Sequence, residues 1–540
     1  MQQAILRADQ SRRQAQARYL ADPPSRACRL GGQAWHPDAV CRRRARRHRL
    51  SRPDPLWPQD RRLDRQPGSR THPGPALPPA LHAVVARSVA LSIPGVLKTV
   101  TALVEQPRQL CALGGQQSVC AIERAIPIVH AGPGCAIKLH CGLSEANGYQ
   151  GSGYSGGAAV VSTNSGEREV VFGGEESLRK VIAGALKVMD GDLFVVLTGC
   201  TSELIGDDSA RVVAEFRAKG APIVHAATGG FRGSNLLGHD TVAKAIIDQL
   251  LDPAPQTVPG LVNVWASVPY QDPFWRGNLQ AIRALLASLG LTVNILFGPG
   301  SGGLAAWKQI PAAQFNLVLS SWTGLAPAQA LEKRFGTPWL HYPVLPIGAL
   351  ETGRFLRAVA AFAGLAPARA ETVIAAQETI YYDHYQRLAE FLLEARCDLP
   401  ARFVTVTDSF QGLGIARLLT NEFGILPGPQ FVTDTPPEAL RPAIIEGYAS
   451  LADKIGASVH FTEDGEVIRQ TLRAAHHRFG APMVFGSAWD REITQDLGGL
   501  HLSVAAPASD RFVLGCSYVG YDGALRLLED AITHKLQQAA

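Results

Sequence analysis

Three cysteines of this 540-residue chain follow segments that could bring their thiols together. Cys111 lies in QLCALGG, Cys135 ends IVHAGPGC and Cys200 ends VVLTGC. The apolar runs before Cys135 and Cys200 predict buried parallel strands, and the carboxyl ends of such strands meet at one edge of a sheet. No two of the three cysteines have the C-x-x-C spacing of a zinc knuckle. Because thiolates are natural ligands of iron–sulfur clusters, the residues leave two interpretations open, a shared cluster or buried structural cysteines.

Acidic residues follow Cys200 in the segment TSELIGDD. Glu203, Asp207 and Asp208 could simply favour the amino-terminal ends of helices, where the helix dipole stabilises negative charge. The alternative is that Glu203 or Asp207 tunes protons near the cysteines. His130 ends a predicted strand, and we expect it to be a hydrogen-bonded loop histidine and not a metal ligand.

The charge of the chain divides into two unlike parts. Residues 1–97 contain 18 Arg and 6 Asp but no Lys and no Glu, whereas the remaining residues carry 34 basic and 41 acidic side chains. The Arg- and Pro-rich part shows neither a helical nor a strand period, so we predict a disordered arm or a spurious amino-terminal extension. The mildly acidic remainder gives no reason to expect nucleic-acid binding.

From about residue 108, apolar strand-like runs alternate with amphipathic helical stretches. This alternation is typical of βαβ units and predicts a parallel sheet. The pattern recurs, so we predict an α/β fold of three tandem Rossmann-like domains, each with a doubly wound parallel sheet. The predicted ranges are 98–255 for a first domain that would bind the cluster, 256–398 for a second, and 399–540 for a third with a carboxy-terminal helix. DPAPQTVPG (252–260) is interpreted as the linker between the first two.

No apolar run approaches the roughly 18–20 residues that span a bilayer. The amino terminus lacks the apolar stretch of an export signal. Nine cysteines in a chain of this length are too few for a disulfide scaffold. We therefore expect a cytoplasmic protein with no membrane partner.

Several segments together resemble the component 1 proteins of nitrogenase. They are PIVHAGPGC, EVVFGG (169–174), VVLTGCTSELIGDD, IVHAATGGFRGS (223–234) and PASDRFVLGCSYVGYDGALRLLEDAI (507–532). These motifs occur in the family's order, and the resemblance covers roughly residues 108–535.

The resemblance implies an α2β2 heterotetramer with an [8Fe-7S] P-cluster at each α–β interface, held by three cysteines from each subunit. Cys111, Cys135 and Cys200 match the three positions of one subunit. A [4Fe-4S] cluster is the alternative. An ATP-dependent iron–sulfur reductase of the component 2 type would supply electrons, which pass to a metal cofactor in the α-type subunit.

Two departures from the α-type pattern favour a β-type subunit, which would relay electrons without binding substrate. The segment FNLVLSSW has Ser320 or a neighbour where the α-type chain has a cysteine, and PASDRF has no histidine that matches the cofactor ligand. The substrate of the assembly could be dinitrogen or a related small molecule such as a methylthio-alkane. Two alternatives are a cofactor-assembly scaffold and a subunit similar to light-independent protochlorophyllide reductase. The complete cysteine set argues against both.

One position departs from the molybdenum enzymes. Their β-type chains have a serine just before the phenylalanine of the segment that resembles GGFRGS, and this serine helps to hold the oxidised P-cluster. Gly230 occupies that place here. Redox-dependent ligation by a serine is therefore not expected in this chain.

Overall fold

The computed structural model describes residues 104–136, 146–150, 160–395, 399–475 and 479–539. The arm predicted for residues 1–97 lies outside the described residues. Within them, three separate parallel sheets are flanked by helices, which confirms the predicted α/β fold with a sheet in each tandem unit.

The first sheet has the strand order β2-β1-β3-β4, and every pairing is parallel. Its strands are β1 (Ala125–His130), β2 (Val161–Ser162), β3 (Leu193–Thr198) and β4 (Ile223–Ala226). Every residue of β1 and β3 is buried. Continuous apolar runs form such strands because helices cover both faces of a parallel sheet.

The other two sheets are also parallel. The second has the order β6-β5-β7-β8, and the third has the order β12-β11-β9-β13-β14, with β10 beside β9. Their strands are β5 (Val258–Trp265), β6 (Thr292–Ile295), β7 (Ala313–Val318), β8 (Trp339–His341), β9 (Arg402–Thr407), β10 (Leu426–Pro427), β11 (Gln430–Val432), β12 (Val459–Phe461), β13 (Met483–Gly486) and β14 (Leu500–Ser503). The helix Asn235–Leu250 and β5 are joined by residues 251–257, so this connection ends before the predicted linker at 252–260 does.

The α-helices connect successive strands and cover the sheets. They are α1 (Gly115–Ala121), α2 (Glu167–Phe172), α3 (Glu175–Val188), α4 (Cys200–Leu204), α5 (Ser209–Arg217), α6 (Asn235–Leu250), α7 (Trp275–Ser288), α8 (Gly303–Gln309), α9 (Leu325–Phe335), α10 (Gly348–Phe362), α11 (Pro367–Glu394), α12 (Ser409–Asn421), α13 (Arg441–Ala449), α14 (Gly465–Ala474), α15 (Arg491–Asp496) and α16 (Gly520–Ala539). In α3 the buried residues Leu178, Ile182 and Ala185 recur at helical spacing, which places one apolar stripe on the sheet.

One hydrophobic core runs through all three sheets. It includes Val195 of β3, Val264 of β5 and Phe485 of β13, and all three side chains are buried. This continuity fixes the strand ends of the three sheets relative to one another. No helix among the described residues is long and apolar enough to cross a bilayer.

Candidate functional site

The carboxyl ends of β1 and β3 lie side by side, as the sequence predicts. His130 is paired with Thr198 in register, and the Gly199 amide donates to the His130 carbonyl at 2.9 Å. Cys200 begins α4 immediately after this point, and Cys135 lies five residues beyond His130 in the neighbouring connection. Both cysteines therefore lie at the same sheet edge.

Cys111 and Cys200 are brought together across Gly230. A Cβ placed on Gly230 would lie 3.0 Å from the Cys200 sulfur and 3.6 Å from the Cys111 sulfur. The Gly230 amide also donates to the Cys200 sulfur at 3.0 Å. The two sulfurs are thus neighbours, and a residue without a side chain separates them. This donor is directed at sulfur, where an N–H group stabilises negative charge.

Two hydrogen bonds to Asn235 fix the backbone before Cys111. The Leu110 amide donates to the Asn235 side-chain carbonyl at 2.9 Å, and the Asn235 amide donates to the Leu110 carbonyl at 2.9 Å. Beyond Cys111, helix α1 packs closely on α6. A Cβ on Gly238 would meet the Ala112 carbonyl oxygen at 1.9 Å, so only glycine permits this approach.

Glu203 holds the loop that carries Gly230. Its carboxylate accepts hydrogen bonds from the Gly229 amide at 2.8 Å, from Arg232 Nε at 2.6 Å and from the Thr198 hydroxyl at 2.5 Å. Burial raises the pKa of Glu203, but these three bonds outweigh it and leave the pKa below its ordinary value. Glu203 is therefore an ionised clamp between α4 and the loop at 229–232.

Asp207 joins the loops on the other side of Cys200. Its carboxylate accepts from the Gly174 amide at 2.9 Å and lies 2.9 Å from His130 Nε2. His130 Nδ1 lies 3.1 Å from the Thr163 hydroxyl. Burial lowers the pKa of His130, and the Asp207 carboxylate opposes that shift. The prediction that His130 is a hydrogen-bonded histidine is confirmed.

The acidic residues after Cys200 thus have different positions. Asp208 caps α5, because its side chain accepts from the Arg211 amide at 2.9 Å, which confirms the helix-terminus interpretation for that residue. Glu203 and Asp207 instead hold neighbouring loops. Sequence spacing gave no signal for this role, because all the partner groups except Thr198 lie 26 to 77 residues away along the chain.

The cysteine edge offers thiols, the residue type that ligates iron–sulfur clusters. Among the described residues, no group of three or more His, Cys, Asp or Glu side chains could hold one metal ion. A multi-iron cluster instead needs thiols spaced several ångströms apart, with backbone close by and N–H groups directed at sulfur. Cys200 is exposed, and Cys111 and Cys135 are half-buried.

Fold and site together define an α/β protein with three parallel sheets and a thiol-bearing strand edge. The family model described as nitrogenase component 1 type oxidoreductase matches residues 111–535. The chain therefore belongs to that family and is an oxidoreductase subunit of the nitrogenase type.

Several relatives that match most of this chain are β chains. The chain is 24% identical over 497 residues to the nitrogenase molybdenum-iron protein beta chain of Methanococcus maripaludis, covering 82% of this chain and 96% of that one. It is 32% identical over 302 residues to the alpha chain of Azospirillum brasilense, covering 53% and 58% of the two chains. The fold matches the solved structure titled "Nitrogenase Cp1 at pH 6.5" with a TM-score of 0.67 at 18% identity, covering 81% of this chain and 94% of that chain. The predicted β-type membership of this family is confirmed.

Proposed function

We propose that Cys111, Cys135 and Cys200 hold half of an [8Fe-7S] P-cluster, which supplies one-electron transfer from an ATP-dependent iron–sulfur reductase to the metal cofactor of an α-type partner. The observation that carries this proposal is the pair of neighbouring sulfurs, Cys111 and Cys200, on either side of Gly230. Membership of the nitrogenase component 1 family supports the choice of an iron–sulfur group.

This chain's own residues would bind and orient such a group. Cys111 is held by the backbone pairing of Leu110 with Asn235, and Cys200 by its place between β3 and α4. The Gly230 amide donates a hydrogen bond to the Cys200 sulfur at 3.0 Å. Glu203 keeps that amide in place through its bond to Gly229.

The exposure of the site supports a cluster shared with a second chain. Apolar side chains beside the cysteines face outward: Leu204 is 75% exposed and Phe231 is 59% exposed. Helix α2 adds Val171 and Phe172, and its end is tied to Asp207 through Gly174. Exposed apolar patches of this kind mark interaction surfaces. An α-type chain docked there would exclude water from the thiols, and two such pairs would form the α2β2 assembly.

In this proposal the substrate reacts in the α-type partner, and dinitrogen or a related small molecule such as a methylthio-alkane is reduced there. The β-type chain would contribute the electron path and not the reacting pocket. The existence of both alpha and beta chains among the relatives supports an α/β partnership.

The test is anaerobic co-purification of this chain with its α-type partner, followed by iron counting and EPR after stepwise oxidation. We expect about eight irons per α/β pair beyond the active-site cofactor, with the P-cluster signal lost in Cys200→Ala. Cys516→Ser is the matched control, since Cys516 is half-buried and lies away from the edge. About four irons, or a signal indifferent to Cys200, would refute the proposal and favour the scaffold or the protochlorophyllide reductase-like alternative.

A further inference from the structure

A second site lies where the carboxyl ends of the second and third sheets meet. A cavity of ≈ 90 Å³ there is lined by residues that follow strands, including Ser267 after β5, Trp322 after β7, Asp408 after β9 and Ala505 after β14. A single buried water needs only about 10–15 Å³, so the space is large enough for a compact molecule. Ligands of open parallel sheets bind at this edge. The cavity contains none of the three cysteines.

Three carboxylates line the cavity. Asp272 accepts from the Phe274 amide at 2.7 Å, Asp408 accepts from the Gln411 amide at 2.8 Å, and Asp434 accepts from the Trp322 indole at 2.8 Å. These hydrogen bonds fix the orientation of each carboxylate without neutralising its negative charge.

The three carboxylates also affect one another. Burial raises the pKa of Asp272 to about 6, and the charge of Asp408 adds to the shift. Burial likewise raises the pKa of Asp434 to about 6, with Asp408 as the next cause. A positive group in the cavity would relieve this repulsion. Among the described residues, no group of three or more His, Cys, Asp or Glu side chains is arranged to hold a metal ion, and this includes the three carboxylates. A molecular cation therefore fits the cavity better than an inorganic one.

Hydrogen-bond donors that lack an acceptor line the same cavity. The Arg108 side chain is 3% exposed, and its two terminal nitrogens donate to the Asp490 carboxylate at 2.8 and 3.1 Å. Its Nε finds no hydrogen-bond partner among the residues that the structure describes, and neither does Gln271 Nε2. A buried donor without an acceptor is unfavourable, so a bound group with an acceptor atom would stabilise this wall.

We propose that this cavity binds a small organic amine that also carries a hydrogen-bond acceptor. The ammonium group lies towards Asp272, Asp408 and Asp434. The acceptor atom accepts hydrogen bonds from Arg108 Nε and Gln271 Nε2. This binding site is separate from the cysteine edge and does not depend on the presence of a cluster.

The experiment is a calorimetric or ligand-observed NMR titration of the full-length protein with 2-aminoethanol. Ethylene glycol is the control probe, because it has nearly the same size and carries hydroxyl acceptors but no charge. We expect saturable binding of 2-aminoethanol, at least tenfold tighter than that of ethylene glycol. Absence of saturable binding, or equal binding of the two probes, would overturn the proposal.

Variants test whether 2-aminoethanol binds in this cavity. Asp272→Asn keeps an acceptor for the Phe274 amide but removes the charge, and it should weaken 2-aminoethanol binding at least tenfold. Asp453→Asn, on the exposed surface, is the matched control and should leave binding unchanged. If Asp272→Asn fails to fold, Ala505→Phe tests the same point by filling the cavity, and it should abolish binding. Binding that survives Ala505→Phe, or a crystal soaked with the amine that shows only water in the cavity, would refute the site.

Discussion

Glu203→Ala should release the loop that places the Gly230 amide on the Cys200 sulfur. The substitution removes the acceptor of the Gly229 amide at 2.8 Å and of Arg232 Nε at 2.6 Å. A hydrogen bond to a charged group contributes about 1.5–3 kcal/mol. Because the Arg232 side chain is 49% exposed, its ion pair contributes less, about 0.5–1 kcal/mol. The loop should therefore lose about 2–4 kcal/mol of local stability.

Hydrogen–deuterium exchange measures this loss directly. An opening free energy that is lower by about 2–4 kcal/mol corresponds to roughly 30- to 800-fold faster exchange of the loop amides. The informative amides are those of Gly230 and Arg232, because their own acceptors, the Cys200 sulfur and the Gly229 carbonyl, remain present in the variant. Glu203→Gln keeps an acceptor without the charge and should give an intermediate rate.

Glu176→Ala is the matched control for that experiment. Its side chain is 68% exposed and makes only surface ion pairs, with Arg179 at 3.8 Å and Lys180 at 3.6 Å. It should leave exchange in the 229–232 loop unchanged. If Glu203→Ala also leaves the Gly230 and Arg232 amides as protected as in the wild type, the clamp role of Glu203 is wrong.

Other substitutions test the remaining features of the site and the core. Gly230→Ala places a methyl group 3.0 Å from the Cys200 sulfur, so alkylation of that thiol by iodoacetamide should slow severalfold, and unchanged labelling would contradict the geometry. Asp207→Asn removes the carboxylate that opposes the effect of burial on His130, so the pKa of His130 should fall further in an NMR titration, whereas a rise would disprove the pairing. Burial raises the pKa of Asp240 from 3.8 to about 7. Between these two pH values the folded state keeps the proton on Asp240, whereas the unfolded state has lost it. Asp240 should then make the unfolding free energy decline with rising pH by up to about 1.4 kcal/mol per unit. In denaturant titrations Asp240→Asn should lack this contribution and keep those of Asp272 and Asp434, so that parallel curves for the wild type and the variant would refute the shift.

The strands that precede Cys135 and Cys200 were predictable from sequence because they are buried on both faces. The apolar run at 193–197 corresponds to β3, and the run from 126 corresponds to β1. Helix α3 was predictable because Leu178 and Ile182 recur at helical spacing. The predicted linker at 252–260 extends too far at its carboxyl end, because proline and glycine in that segment did not prevent β5 from starting at Val258. The proline content of this segment therefore did not predict where β5 begins, because that position depends on the pairing of β5 with its neighbouring strands.

The sequence by itself determined the βαβ alternation, the position of Cys135 and Cys200 after strands, and the family resemblance, because these are properties of local pattern. Only the tertiary structure decided that Cys111 and Cys200 face each other across Gly230, that Glu203 clamps the glycine loop, and that carboxylates from the second and third sheets share a cavity. These arrangements join residues far apart along the chain. They depend on how the strand ends of three sheets are packed around one core, and a local pattern carries no information about that packing.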